Sequence, residues 1–327
     1  MMSFFARRLS TASILVLAAC GSAAAADGPY PNRAIQLLVT VPPGGAADFI
    51  ARLVGGKLSE ALGQPIVVVN RGGAGGTLAA NNLAKAEADG YTLLLNSITT
   101  HGIGPHLYVK LPYDPIKDFA PIGLVAKLPL IMAVAETVPA KSVAEFVALA
   151  KAQPGQLAFA SAGKGGAPHL AGEMFKAATG TSLLHVPYKG SGPAVLDVAA
   201  GRVAVMFDAA PSLWPFISTG KMRVLAAASK QRNSLLPDVP TFAELGYKDM
   251  DIDLWFGLVA PGGTSAPILQ RLNGELNKVL TNPALLDSFA KQGIGATPGT
   301  PEDFTGFMRD EMSRWALVVK AAGIEPD

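Results

Sequence analysis

The stretch Val41-Pro-Pro-Gly-Gly-Ala-Ala-Asp48 lies between an apolar run, 35–40, and an amphipathic run, 49–62. Read together, the three segments are strand, tight glycine loop and helix. Pro42 and Pro43 end the strand because neither has an N–H to give to a ladder. Gly44 and Gly45 let the backbone turn sharply and leave no side chain in the way of a ligand. The helix then opens with unpaired N–H groups and a partial positive charge, which suits an anion. The same design recurs at 70–76 (Asn-Arg-Gly-Gly-Ala-Gly-Gly) and at 161–166 (Ser-Ala-Gly-Lys-Gly-Gly). Several such loops brought together would surround one small acid.

The first residues are a leader and not part of the fold. Arg7 and Arg8 precede an apolar core at 14–19, and alanines follow, the pattern of a secretory signal peptide. Ala24-Ala25-Ala26 fits ordinary cleavage before Asp27, which is the favoured exit. Leu17-Ala-Ala-Cys20 resembles a lipoprotein box and offers a lipid anchor at Cys20 as the alternative. Cleavage at 26 removes two basic residues and no acid, and takes the formal charge from +2 to zero. A neutral chain argues against nucleic acid as partner. Cys20 is the one cysteine, so no disulfide framework and no thiol chemistry are expected.

Beyond the leader, strand and helix patterns alternate nearly throughout, as in parallel α/β sheets. Strands are expected at 66–69, 92–95, 157–160, 183–186, 203–207, 223–228 and 254–260. Two successive apolar runs, 119–125 and 130–134 with Pro129 between them, look like a crossing from one lobe to another. The return crossing falls at 254–260. Residues 27–128 plus 256–327 would form one lobe and 129–255 the other, hinged near Leu128 and Trp255, with a small-molecule cleft between them. Ser142-Val-Ala-Glu145 is a capping-box pattern. Helical stripes at Ile268, Leu269, Leu272, Leu276, Val279, Leu280 and at Phe304, Phe307, Met308, Met312, Trp315, Val319 read as core.

Catalytic motifs are sparse. Gly-x-Ser-x-Gly and His-Glu-x-x-His are absent. Ser161-Ala-Gly-Lys164 has the Ser-x-x-Lys spacing without its companion motifs. Gly73-Ala-Gly-Gly76 hints at a dinucleotide loop, but Leu78 stands where the third glycine belongs. His101, His106, His169 and His185 show no metal-ligand spacing. No metal and no cofactor are therefore expected. The binding reading uses Pro43, Gly44, Gly45, Gly73 and Gly76 for backbone contacts. Asn96, Ser97, Thr99 and Ser161 add side-chain polar groups. Asp48 is either a first-turn acid balancing the helix dipole or a holder of water or of a ligand donor. Lys164 and Lys189 are surface lysines by default, Lys164 being the better ligand candidate because glycines surround it.

These motifs, with Asp89-Gly-Tyr-Thr-Leu-Leu94, His185-Val-Pro-Tyr-Lys-Gly190, Pro237-Asp-Val-Pro-Thr241 and Trp255-Phe-Gly-Leu-Val-Ala-Pro261, resemble the Bordetella uptake gene (Bug) family. These are the periplasmic receptors of tripartite tricarboxylate transporters. The resemblance spans nearly the whole chain after the leader. It implies a type II periplasmic-binding-protein-like fold, two α/β lobes on two hinge strands that close like a Venus flytrap. It implies a solute-binding receptor without enzymatic activity, which hands a small carboxylic acid to a membrane permease. By motif position it assigns ligand contacts to Gly44, Gly45, Asp48, Gly73, Gly76, Ser161, Gly163, Gly165, His169, Tyr188, Lys189, Gly190 and Asp208; Asn70 belongs to the second of these loops. Gly166 and Lys164 depart from the family pattern, the first removing a hydroxyl and the second adding a charge. Two other readings stay open: a secreted α/β enzyme acting on small acids or esters, and a partner that presents the ligand to a sensor kinase.

Overall fold

The glycine loops sit where the sequence puts them, at the carboxyl ends of strands that enter helices. The computed structural model describes residues 29–232 and 235–321. The leader, its two expected exits and Cys20 lie outside the described residues. The chain runs through β1 (Ile35–Val39), α1 (Ala46–Leu62), β2 (Ile66–Asn70), α2 (Thr77–Ala84) and β3 (Thr92–Ser97). A π-type turn, Ile98–Ile103, then leads into α3 (Gly104–Leu107). Next come β4 (Phe119–Ala135), α4 (Val143–Ala152), β5 (Ala158–Ser161), α5 (Ala167–Thr179), β6 (Leu184–Pro187) and α6 (Ser191–Ala199). They are followed by β7 (Val205–Ala209), α7 (Ala210–Ile217) and β8 (Met222–Ala228). The chain closes with β9 (Asp253–Pro261), α8 (Ala266–Leu280), α9 (Pro283–Ala290), β10 (Gly295–Ala296) and α10 (Pro301–Ala321).

The strands form one continuous mixed sheet, in the order β2-β1-β3-β9-β4-β7-β5-β6, with β8 and β10 also paired to β4. Each end is parallel: β2-β1-β3 at one and β7-β5-β6 at the other. The antiparallel strands β9 and β4 join them. The parallel ends match the expected α/β pattern, and the antiparallel centre is where the chain crosses between the lobes and comes back. This is a two-lobe fold of the type II periplasmic-binding-protein kind.

The two apolar runs at 119–125 and 130–134 are one strand. β4 pairs with β9 from Phe119 to Pro129, then with β7 and β8 from Leu130 onward. Pro121 and Pro129 do not break it. The register against β9 shifts just after Pro121, and Pro129 is the last residue paired with β9 before the partners change. At both places the missing N–H costs little ladder. The chain returns through Ile252, whose N–H donates to Ala228 O and whose carbonyl accepts from Leu130 N–H.

α7 and α9 were not anticipated. Pro211 and Pro215 make 210–217 look like a loop, yet Pro211 stands in the first turn, where proline is tolerated. α9 is started by Asn282, whose side chain accepts from Ala284 and Leu285 N–H. Ser142 caps α4 through Glu145 N–H at 3.2 Å. Glu145 reaches back to Lys141 N–H at 2.7 Å, one residue before the expected partner. The stripe on α10 is buried at Phe304, Met308, Trp315 and Val319, but it also contains a buried acid, Glu311. Its Oε2 accepts from the indoles of Trp255 at 2.8 Å and Trp315 at 3.0 Å. That pairing is what lets a carboxylate sit in the core.

Candidate functional site

On the first lobe, Asp48 organises the loops. Its carboxylate accepts from Gly44 N–H at 3.2 Å and from Asn70 Nδ2 at 3.0 Å, and Arg52 pairs with it at 3.0 Å. Asn70 also donates to Val41 O at 3.0 Å. Asp48 and Asn70 thus tie the loop after β1 to the loop after β2. Burial pushes Asp48 up, but Arg52, Asn70 and the Gly44 N–H together hold it below the usual carboxylate range. Gly76, at φ 88°, fits against Thr40 and Thr100: a β-carbon there would lie 2.8 Å from each side chain. The ends of β1, β2 and β3 therefore meet at one glycine.

On the second lobe, Ser161 Oγ donates to Gly163 O and accepts from Gly163 N–H, at 3.1 and 3.2 Å. Gly165 N–H donates to His169 Nδ1 at 3.1 Å. Tyr188 N–H and Gly190 N–H donate to Ser161 O and Ala162 O, both at 3.0 Å. Asp208, buried at the end of β7, accepts from Ala209 N–H at 2.7 Å, while its Oδ2 has no hydrogen-bond partner among the described residues. Burial raises it to about 6, and the Ala209 N–H offsets this only in part.

The two lobes touch through these loops. A β-carbon on Gly190 would lie 3.4 Å from Pro42, one on Gly45 would lie 3.8 Å from Ser191 Oγ, and one on Gly165 would lie 2.7 Å from Leu107 Cδ1. α1, α2, α5 and α6 all begin at a glycine with no side-chain cap. A glycine at the helix start offers no side chain to the first-turn N–H groups. The amides of Gly44, Gly76, Gly163, Gly165 and Gly190 are committed to bonds inside their own loops, which corrects the expectation that the loop amides are open. In α5 the His169 N–H also donates to Gly166 O at 3.0 Å, and Pro168 and Pro193 have no N–H to offer.

Asn96, Ser97 and the Tyr188 hydroxyl are not brought to this point. Asn96 turns under α10, with Nδ2 3.4 Å from Met308 Sδ. Ser97 is buried and shapes the π-type turn through Thr100. The Tyr188 hydroxyl is turned to Asp197 at 2.7 Å. Thr99 is half-buried on the π-type turn, Pro43 and Gly73 are exposed on their loops, and Lys164 and Lys189 are exposed on the second lobe. Leu107 and Ser191 carried no motif signal, because their part depends on what faces them across the gap.

A cavity of about 610 Å³ lies beside β4 and β9. Lys127, Asp253, Trp255, Lys230, Phe307 and Arg314 are among its walls, and none of the glycine-loop residues is. Its charged groups largely serve each other: Arg314 donates to Asp251 O and pairs with Glu311, and Lys230 lies 3.8 Å from Asp251. Asp253 is raised to about 6, first by burial and then by Asp251.

Two α/β lobes on crossing strands, whose glycine-started helices meet at Pro42 and Gly190 and at Gly45 and Ser191, define a periplasmic binding protein. Residues 50–324 match the family described as "Tripartite tricarboxylate transporter family receptor". Protein BugT of Bordetella pertussis is 39% identical over 318 residues, 97% of this chain and 98% of BugT. Among solved structures, R. palustris Rpa4515 with adipate is 35% identical at a TM-score of 0.89, covering 91% of this chain and 100% of that one. Periplasmic binding protein BugD is 33% identical at a TM-score of 0.87, with the same coverage. The chain belongs to the tripartite tricarboxylate transporter receptor family, which includes the Bug proteins, and its relatives are periplasmic solute-binding receptors.

Proposed function

We propose that this chain captures a small carboxylic acid outside the cytoplasm and delivers it unchanged to a tripartite tricarboxylate-type permease. The observation that carries the reading is the meeting of uncapped helix starts from both lobes, at Pro42 with Gly190 and at Gly45 with Ser191. The lobes are taken as 27–128 plus 256–327 and 129–255. A carboxylate binds first at the α1 and α2 starts, near Gly45 and Gly73. Closure then brings the α5 and α6 starts onto it, and Thr99, Lys164, Lys189 and Asp208 meet the rest of the ligand. Asp48, Asn70, Ser161 and His169 hold the loops in shape. Charge-assisted hydrogen bonds contribute about 1.5–3 kcal/mol each, so a few give micromolar affinity. Adipate in Rpa4515 and two rim lysines support a dicarboxylate over a monocarboxylate. The leader places the mature chain in the periplasm after cleavage near Ala26, or on a lipid anchor at Cys20.

Calorimetry with succinate, glutarate, adipate and benzoate is the test, with each acid recovered afterwards. Micromolar binding of a dicarboxylate and its unchanged recovery are expected. Turnover that vanishes in Ser161→Ala would support the enzyme reading instead.

A further inference from the structure

Two imidazoles lie face to face behind the loop 162–166. His169 and His185 stack with centroids 4.0 Å apart and planes 19° from parallel. Phe159 stacks on His185 at 4.8 Å. Gly165 N–H donates to His169 Nδ1, so that nitrogen carries the lone pair and the ring proton sits on Nε2, facing Glu173 Oε1 at 3.8 Å. His185 Nε2 lies 2.6 Å from Ser161 Oγ. The Ser161 proton goes to Gly163 O, which makes His185 Nε2–H the donor to Ser161. The rings therefore fasten the residues on both sides of Lys164, one directly and one through a hydroxyl. This arrangement also leaves Ser161 without a base to activate it.

We propose that His169 and His185 are positioning residues for the second lobe's acid-binding loop, and that the loop keeps its binding shape only while His169 is neutral. The inference rests on the reading of that loop as part of the ligand site. A second proton on His169 must go to Nδ1, and it then repels the Gly165 N–H instead of accepting from it. The cation would also stand in the first turn of α5, where the helix dipole opposes it. A charge on either ring disfavours one on the other across 4.0 Å. The charged groups facing the pair are Glu173 and Lys176 on α5, bound to each other at 2.7 Å, and Lys164 on the loop. Ser161 and Phe159 of β5 face it without charge. Burial, then His169 and Lys176, bring His185 down to about 4; burial lowers His169 too, against the pull of Glu173.

The test uses the mature chain, with amide exchange of Gly163 and Gly165 read by NMR without ligand and adipate affinity read in parallel. Between pH 7.5 and 4.5, protection of the Gly165 amide should fall at least about tenfold, in step with His169 protonation, while the Gly163 amide serves as the internal reference. His169→Asn keeps an acceptor at the Nδ1 position but does not titrate. It should retain Gly165 protection across the range, whereas His169→Leu should lack it at pH 7.5. The ratio of wild-type to His169→Asn dissociation constants cancels the titration of adipate itself. It should rise about tenfold toward pH 4.5. A protonated Nδ1 on His169 at pH 7.5, or the same pH response in His169→Asn, would overturn the proposal. Failure of adipate to bind counts against the ligand class, and the ligand-free amides then decide the positioning role alone.

Discussion

The glycine loops and the cleft beside β4 and β9 are built from different material. At the loops the chemistry is main chain: helix starts without caps, amides tied back by Asp48, Ser161 and His169, and a buried Asp208 with one oxygen unserved. At the cleft the chemistry is side chain: Glu311 between two indoles, Arg314 on Asp251 O, and Lys127 4.0 Å over the Phe307 ring. The difference teaches how the molecule divides its tasks. Main-chain groups held back by a few side chains leave room for a guest. Interlocked side chains fill their own needs and fix α10 against β9.

The comparison is broken most severely at Glu311. Replacing it with Leu leaves two buried indole N–H groups without an acceptor. A loss of about 3 kcal/mol or more in urea unfolding is expected, whereas Gln, which keeps an acceptor, should lose much less. Equal losses in the two variants would remove the acceptor role from Glu311.

Gly165→Leu tests the contact across the gap. Its φ of +77° already disfavours a side chain, and Leu107 Cδ1 blocks the space at 2.7 Å. A cost of about 1–2 kcal/mol comes from the backbone alone, with binding lost as well. Leu107→Ala in the same chain should recover part of the binding but not the backbone cost. A double-mutant cycle with no coupling would show that the lobes do not meet there in solution.

Asp208→Asn sharpens the electrostatic side. The folded chain raises Asp208 to about 6 from 3.8, so it holds a proton more tightly than the unfolded chain over that window. The wild type therefore gains stability as pH falls from about 6 to about 4. The variant should be more stable by roughly 1–3 kcal/mol at pH 7.5, and the advantage should close by about pH 4. His185 and His101 act with the opposite sign. Burial lowers His101 to about 3 and, with its neighbours, His185 to about 4, so each withdraws stability as pH falls below about 6.5. A gain in Asp208→Asn that is independent of pH would remove its carboxyl charge as the cause.

The smallest effect is expected at Tyr188→Phe. Its hydroxyl donates to Asp197, a bond at the surface that contributes about 1 kcal/mol or less. Acid affinity should change by less than about twofold. A tenfold loss would return the phenol to the ligand.

Much of this was legible from residue order alone. The strand, glycine loop and helix units of β1 to α2 and of β5 to α6 came from local rules: prolines without N–H, glycines at turns, and apolar runs. Asp48 as a first-turn acid was one of two readings, and its bonds to Gly44 and Asn70 give it a loop-holding place. Asn96 was misjudged because its polarity says nothing about which face of β3 it occupies, and that face packs on Met308. α7 was lost because proline signals a break unless its position in the first turn is known.

The sequence by itself determined most of the elements and the family, since turn chemistry and helix starts depend on neighbours a few residues away. Tertiary structure decided which loop amides are tied back, that β4 runs unbroken through a change of partners, and that His185 stands behind Ser161. Those facts depend on groups far apart in the chain, such as Ser161 and His185 or Gly45 and Ser191. No local preference encodes such distances; only the packed sheet and its crossing strands set them.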